Sequence, residues 1–158
     1  MEKFDKDTCV VVVSCDKYDD AWEPFFTLKN KYWKNNYKTF LITENKKCKY
    51  CETINVNEKI WTKRFREALK KIDYKYVILL LEDFFIREPV KQNKIEEYIK
   101  NFPKDAAVVH FVDGNNYIKS NILDLYLKTE DAHYKCNCQC GIWDRDKLIS
   151  LSNKESNI

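Results

Sequence analysis

Glycine is almost absent: the 158 residues include only Gly114 and Gly141. A Walker-type phosphate loop and the G-x-G-x-x-G dinucleotide turn both need several glycines for close backbone approach, so both are excluded. If this chain binds phosphate, it must use a cation and basic side chains. Long apolar runs are missing too, since none approaches the roughly 18 residues of a membrane span. No membrane span is expected. The first residues, Met1-Glu2-Lys3-Phe4-Asp5, lack the apolar segment of a signal peptide, which predicts a cytoplasmic protein. Nor is there an excess of one charge. A formal net charge of +3, with lysines and asparagines scattered along the chain, gives no reason to expect a nucleic-acid partner. No repeat, low-complexity tract or linker interrupts the sequence. We read residues 1–158 as a single domain large enough for a real core.

Cysteine, by contrast, is plentiful. Seven cysteines in odd number, with no secretion signal, argue for reduced thiols. Cys48 and Cys51 stand at C-x-x-C spacing and could supply half of a zinc site. Cys136, Cys138 and Cys140 alternate, and on a strand that sets three thiols in a row on one face, not around one ion. For both groups the competing reading is the ordinary buried or half-buried cysteine.

The chain is organised around Tyr76, Val77, Ile78, Leu79, Leu80 and Leu81, an unbroken apolar run followed by Glu82 and Asp83. So short a run reads as a strand buried on both faces, as in the centre of a parallel sheet. Ligands of open α/β sheets bind beyond the carboxyl ends of the strands, so two acidic groups there are placed for chemistry. Their use is either to hold a hard divalent cation shared with phosphates or to close a turn. A second such run, Cys9 to Val13, lies in an expected strand over 8–14 that ends in Ser14, Cys15 and Asp16. A helix over 20–33 follows, started by Asp20 and Glu23 as a capping box, and then a strand over 38–43. That order predicts a right-handed βαβ unit with parallel strands.

Further on, 44–50 reads as a loop and 52–56 as a short edge strand. Asn57 reads as the N-cap of a helix over 58–72 lined by Ile60, Trp61, Phe65, Ala68, Leu69 and Ile72. A helix over 90–102, stopped by Pro103, leads to a third buried strand over 106–112 and a turn at Asp113 and Gly114. Residues 123–129 and 134–140 alternate as antiparallel strands would, and a last helix occupies 144–151.

Taken in order, these segments resemble bacterial glycosyltransferases of the GT-A fold. The likeness rests on Ser14-Cys15-Asp16-Lys17-Tyr18 after a valine-rich strand, then Trp22-Glu23-Pro24-Phe25-Phe26. It continues through Trp61, Arg64 and Ala68-Leu69 on one helix, Leu81-Glu82-Asp83-Phe84-Phe85, and finally Gln139, Gly141, Ile142 and Trp143, covering about 8–148. The implied fold is a Rossmann-like three-layer α/β/α sandwich with a mostly parallel central sheet and a small antiparallel C-terminal part. The implied reaction moves a sugar from a nucleoside-diphosphate sugar, UDP-sugar first, to a glycan acceptor of the surface-polysaccharide type, with Mn2+ or Mg2+.

Carried over residue by residue, the resemblance puts Ser14, Cys15 and Asp16 near the base and ribose, with a turn role as the alternative for Asp16. Arg64 would pair with the diphosphate, or else lie on a solvated helix face. Trp61 would stack on the donor or belong to the core. Glu82 and Asp83 stand where the family has its D-x-D metal motif. They are adjacent, not two apart, and so point oppositely on a strand. Asp83 is therefore assigned to the metal, and Glu82 to a neighbouring group or ligand hydroxyl as well as to the metal. No catalytic base is evident. Asp144 and Asp146 qualify by position only, His110 reads as a core histidine, and His133 beside Asp131 is a loose metal-ligand candidate. Family members usually continue past the last helix, so the resemblance implies a fragment or a shortened form. Two other functions stay open: a non-catalytic truncated GT-A domain used in binding or assembly, and a zinc-stapled interaction module built on the cysteines.

Overall fold

In the computed structural model, which describes residues 5–111, 117–131 and 136–153, the two apolar runs become neighbouring strands. Strand β1 (Thr8–Val13) is buried along its whole length. It pairs in parallel with β4 (Tyr76–Leu81), Val11 beside Leu79 and Val13 beside Leu81. On its other side lies β2 (Lys38–Thr43), also parallel, and then the edge strand β3 (Glu52–Asn55). Two helices carry the chain between these strands: α1 (Trp22–Tyr32) and α2 (Trp61–Leu69).

Side-chain alternation on the strands divides the core in two. Val10, Val12, Leu41, Ile78 and Leu80 face α1, meeting Trp22, Phe25 and Phe26. Val11, Val13, Ile42 and Leu79 face α2, meeting Phe65, Ala68 and Leu69. Helix α3 (Gln92–Lys100) adds Ile95 to the first layer, and α4 (Arg145–Leu151) adds Leu148 to the second. The result is the expected three-layer α/β/α arrangement. Each fully buried Val, Leu, Ile or Phe is worth about 1.5–3 kcal/mol, so the two layers around β1 dominate stability.

The far half of the sheet departs from expectation. Its order is β3-β2-β1-β4-β8-β5, with β5 (Val108–His110) at the edge and β8 (Gly141–Asp144) inserted antiparallel between β4 and β5. The strand expected over 106–112 is thus, among the described residues, the outer strand Val108–His110, with only Val109 fully covered, and not a third buried one. Ile142 and Trp143 take the interior place instead. The antiparallel part also includes a separate pair, β6 (Tyr117–Lys119) and β7 (Tyr126–Lys128). Cys136 to Cys140 form no strand, and the turn expected at Asp113 and Gly114 lies outside the described residues. Among the described residues no helix is long and apolar enough to cross a membrane.

Helix starts also differ. A 3-10 stretch (Asp16–Ala21) precedes α1, so Asp20 falls within it and caps nothing. Helix α2 begins at Trp61 and not at Glu58, because Glu58 closes a turn of its own. Its N–H donates to the Val56 carbonyl at 2.9 Å, and its carboxylate accepts the Ile60 N–H at 3.2 Å. Asp144 caps α4, accepting the Lys147 N–H at 3.0 Å.

Gly141 stands at the point where β8 squeezes between its neighbours. A Cβ there would lie 2.8 Å from the Val109 carbonyl oxygen and 3.2 Å from His110 Cα. Both obstacles are backbone and cannot rotate away. Gly141→Ala is therefore expected to lower stability by about 1–3 kcal/mol, as overpacking does. An unchanged urea midpoint would show that β8 does not sit between β4 and β5 in solution.

Candidate functional site at the carboxyl edge of the sheet

From β1 the chain runs outward to β2 and β3, then returns through α2 to β4 on the opposite side of β1. Such a reversal of strand order is where open α/β sheets leave a crevice for ligands, beyond the carboxyl ends. Here those ends deliver Ser14, Cys15 and Asp16 from β1, Thr43 and Glu44 from β2, and Glu82 and Asp83 from β4.

Glu82 and Asp83 leave β4 in a turn in which the Phe84 N–H reaches the Leu81 carbonyl at 3.1 Å. They diverge as adjacent residues should: Glu82 is half-buried and Asp83 exposed. Burial holds the Glu82 carboxyl above the usual glutamate range, and the Asp83 charge adds to this. The Glu82 backbone N–H and a hydrogen bond from Ser14 oppose it. Ser14 is itself buried, and its Oγ accepts the Trp22 indole N–H at 2.8 Å. Helix α1 and β1 are thus joined through one hydroxyl, which itself donates to the Cys15 carbonyl at 3.4 Å. Cys15 is half-buried, and its carbonyl accepts the Tyr18 N–H at 3.1 Å to start the 3-10 stretch.

Asp16 is tied to the loop after β2. Its carboxylate accepts the Thr43 hydroxyl at 2.5 Å, the Asn45 N–H at 3.1 Å and the Lys46 N–H at 3.0 Å. Desolvation raises its proton affinity, but the Thr43, Lys46 and Asn45 hydrogen bonds outweigh that and bring the pKa down to about 2. The Asp16 N–H in turn donates to Glu44 at 2.6 Å. Glu44 binds Arg64 at 2.5 Å, and Arg64 also donates to the Glu58 carbonyl at 3.0 Å. The Arg64 side chain, 8% exposed, is thus on no solvated helix face. It is buried against a carboxylate at the mouth of the site. Sequence reasoning missed Glu44. The available signal was its position, an acid directly after Thr43 at a third strand end.

Trp61 is half-buried at the start of α2, stacked on Phe65 at 5.2 Å and packed against the α2-side core. Asp144 pairs in register with Tyr76, at the amino end of β4, because β8 runs antiparallel. Asp144 and Asp146 therefore lie at the opposite edge of the sheet from Glu82 and Asp83, which removes both as base candidates. His110 is half-buried, edge-on to Trp143 at 5.8 Å. His133 lies outside the described residues.

Among the described residues no three His, Cys, Asp or Glu side chains gather as a metal set. Among the described residues, neither cysteine group is joined by the further ligands that the zinc site considered from spacing needs. A magnesium-type cation completed by substrate phosphates needs only one or two carboxylates, and Glu82 with Asp83 meets that requirement. Beside the edge, on the α1 side of β1, Asp19, Trp22 and Glu23 face Lys46, Lys47, Lys49 and Tyr50 across a cleft of about 350 Å³. Lys46 pairs with Asp19, and Lys49 with Glu23 at 3.9 Å. Glu82 and Asp83 are not among its walls.

The clamp at Asp16 has a measurable signature. Its folded pKa lies below the ordinary aspartate value of 3.8, so the interaction stabilises the protein above that value and is lost as pH falls toward 2. Asp16→Asn is expected to lower stability at pH 7 by about 1 kcal/mol, solvent screening much of the interaction. It should also flatten the acid decline between about pH 4 and pH 2 in urea titrations. An identical acid limb in both proteins would show that Asp16 does not hold this loop.

No family model matches the sequence, and no curated protein matches it. Solved structures do match the fold. TarS 1-349 from S. aureus aligns with a TM-score of 0.58 at 10% identity, over 95% of this chain and 52% of that one. A CMP:2-keto-3-deoxy-manno-octonic acid synthetase complexed with CTP gives 0.55 at 11%, over 97% of this chain and 80% of that one. The glycosyltransferase GlyE from Streptococcus pneumoniae gives 0.51 at 13%, over 94% and 36% respectively. The chain thus spans about half of the TarS fragment and about a third of GlyE. At these identities the likeness is one of fold: α/β, with a mostly parallel six-stranded sheet and a small antiparallel pair.

Proposed function

We propose that this chain is a nucleotide-sugar-dependent transferase whose donor lies across the carboxyl ends of β1, β2 and β4. The observation that carries the reading is the convergence of Ser14, Asp16, Glu44, Arg64, Glu82 and Asp83 at the reversal of strand order. The fold shared with GlyE, a glycosyltransferase, supports it. The donor is a nucleoside-diphosphate sugar, UDP-sugar in the first instance, and the acceptor a glycan of the surface-polysaccharide type. The likeness to a synthetase complexed with CTP makes a nucleoside triphosphate the second donor to test.

Asp83, exposed at the strand end, holds Mn2+ or Mg2+, and Glu82 supports it from the half-buried side. Bound there, the ion would supply Lewis-acid stabilisation of the departing diphosphate. The protein's own groups do the rest. Asp16 and Glu44 hold the loops after β1 and β2, and Arg64 brings positive charge to the mouth of the site. A guanidinium suits a diphosphate because its planar fork matches phosphate oxygens in pairs. Arg64 would share itself between Glu44 and the donor. The residue that would activate an acceptor hydroxyl is not assigned.

Calorimetry with UDP and other nucleoside diphosphates, with and without Mn2+, tests this reading. Binding should require the metal and weaken about tenfold or more in Asp83→Ala, a loss of at least about 1.4 kcal/mol. Because the Glu82 pKa is raised, metal-dependent binding should strengthen as pH climbs through that raised value, and Glu82→Gln should abolish the step. Binding that ignores both the metal and Asp83 overturns the proposal. Donor turnover, by hydrolysis or transfer, separates the enzyme from a non-catalytic domain that only binds.

A further inference from the structure

Exposed apolar surface is unevenly spread over this molecule. Nine large apolar side chains stand in solvent among the described residues, and seven of them lie at or beyond the carboxyl ends of β4 and β5. Phe85 follows β4 and Phe111 follows β5; the other five, Tyr117, Ile118, Leu123, Tyr126 and Leu127, belong to the β6–β7 ribbon and its turn. The ribbon is part of an excursion from the edge that holds Glu82 and Asp83. Both β4 and β5 run antiparallel to β8, and Gly141 is in register with Leu79 on one side and His110 on the other. The chain therefore leaves β5 and re-enters β8 on that edge. There the Phe111 N–H donates to the Cys140 carbonyl at 3.0 Å, closing the base of the excursion.

A two-stranded hairpin by itself is marginal in water, and this one is fastened at its turn. Asp124 accepts the Tyr98 hydroxyl at 3.0 Å and the Lys94 ammonium at 3.3 Å, both from α3. Within the turn the Ser120 N–H donates to the Leu125 carbonyl at 3.0 Å, and the Ile122 N–H to the Ser120 hydroxyl at 3.0 Å. Register sorts the side chains of the two strands. Tyr117 lies opposite Lys128 and Lys119 opposite Tyr126, all on one face, with Ile118 and Leu127 on the other. The two tyrosine rings meet on the diagonal, their centres 5.3 Å apart and their planes tilted by 47°. That face alternates aromatic ring and ammonium, and neither strand contains an acidic residue.

We propose that this tyrosine–lysine face docks an acidic glycan, and that the glycan is the acceptor chain; only the second half rests on the transferase reading above. A sugar ring has a flat carbon–hydrogen face that packs on an aromatic ring, and tyrosine adds a hydroxyl that meets the sugar's own hydroxyls. Two rigid tyrosines also lose little entropy when they bind. The lysine opposite each ring complements a carboxylate or phosphate carried by the chain, whereas a neutral glycan would leave both ammonium groups unused. Because the excursion springs from the carboxyl edge, a chain held on the ribbon is tethered on the donor's side of the sheet.

The test titrates the whole chain with oligogalacturonate, which carries carboxylates, phosphomannan, which carries phosphates, and neutral maltoheptaose. Calorimetry should show at least one acidic chain binding about tenfold or more tightly than maltoheptaose. The double variant Tyr117→Ala, Tyr126→Ala should lose about tenfold or more of that affinity. Lys119→Ala should lose less and flatten the dependence on salt, which screens exposed charges. Both variants should keep the thermal midpoint of the wild type and its binding of UDP with Mn2+. The proposal is overturned if neither acidic chain binds more tightly than maltoheptaose, or if both variants bind as the wild type does. Equal binding of polyglutamate or of a single-stranded oligonucleotide would also overturn it, as would a wild-type dimer that the tyrosine variant dissociates. UDP binding with no glycan binding sinks this proposal and spares the donor site. Glycan binding with no metal-dependent UDP binding upholds the docking face and overturns its role for an acceptor.

Discussion

Strand β1 has no solvent side. From Thr8 to Val13 none of its residues is more than 2% exposed, because β2 and β4 flank it and helices cover both faces. A carboxylate or ammonium within that span would be stranded among apolar side chains, at a cost no single domain of this size can absorb. Chemistry is thereby forced to the ends. At the carboxyl end the first polar groups appear in immediate succession on three neighbouring strands: Ser14 on β1, Thr43 and Glu44 on β2, Glu82 and Asp83 on β4. The same burial that stabilises the sheet therefore sets where a ligand can be recognised.

Those ends are also tied to one another. Asp16 reaches from β1 to Thr43, Asn45 and Lys46 after β2, and Glu44 returns the bond to the Asp16 N–H while holding Arg64 from α2. Ser14 accepts the Trp22 indole N–H and so ties α1 to the end of β1. Buried ion pairs such as Arg64 with Glu44 rarely add net stability over an apolar pair, since desolvation offsets the attraction. Their effect here is to bring four separate segments to one geometry, which is what a polar ligand needs from a rigid edge. With almost no glycine to let backbone approach phosphate, this chain has side chains where glycine-rich folds have N–H groups.

The amino-terminal half was legible because its signals are strong and local. Unbroken runs such as Val10 to Val13 and Val77 to Leu81 can be little else than doubly buried strands, and the crossover between β1 and β2 leaves one handedness. The placing of Glu82 and Asp83 at a strand end followed directly. The carboxyl-terminal half was not legible, since β8 is only Gly141 to Asp144 and its first residue is a glycine, which ordinarily weakens a strand. What makes it interior is tertiary: Gly141 admits the Val109 and His110 backbone at contact distance, and only then does Ile142 meet Ile78. No local pattern carries that. Helix starts were misplaced for a related reason: Asn57 and Asp20 read as caps, but α2 starts only beyond the turn that Glu58 closes, and Asp20 lies within a 3-10 stretch. Arg64 read as either solvated or ligand-bound, since its partner Glu44 lies in another segment and is invisible to spacing.

The adjacency of Glu82 and Asp83 is itself a physical device, distinct from two carboxylates on one face. One side chain is half-buried and the other exposed. Each carboxylate then has a separate electrostatic part. The Glu82 charge is disfavoured by burial and by Asp83, so this edge resists carrying two full negative charges side by side. A divalent cation beside Asp83, as proposed, would reverse the second of those contributions and lower the cost of ionising Glu82. Cation affinity and the Glu82 proton would then be linked: releasing the proton would strengthen the hold on the ion, and the ion would drive the proton off. Two acids sharing a solvated face would be coupled through mutual repulsion alone, without the contribution that burial makes at Glu82.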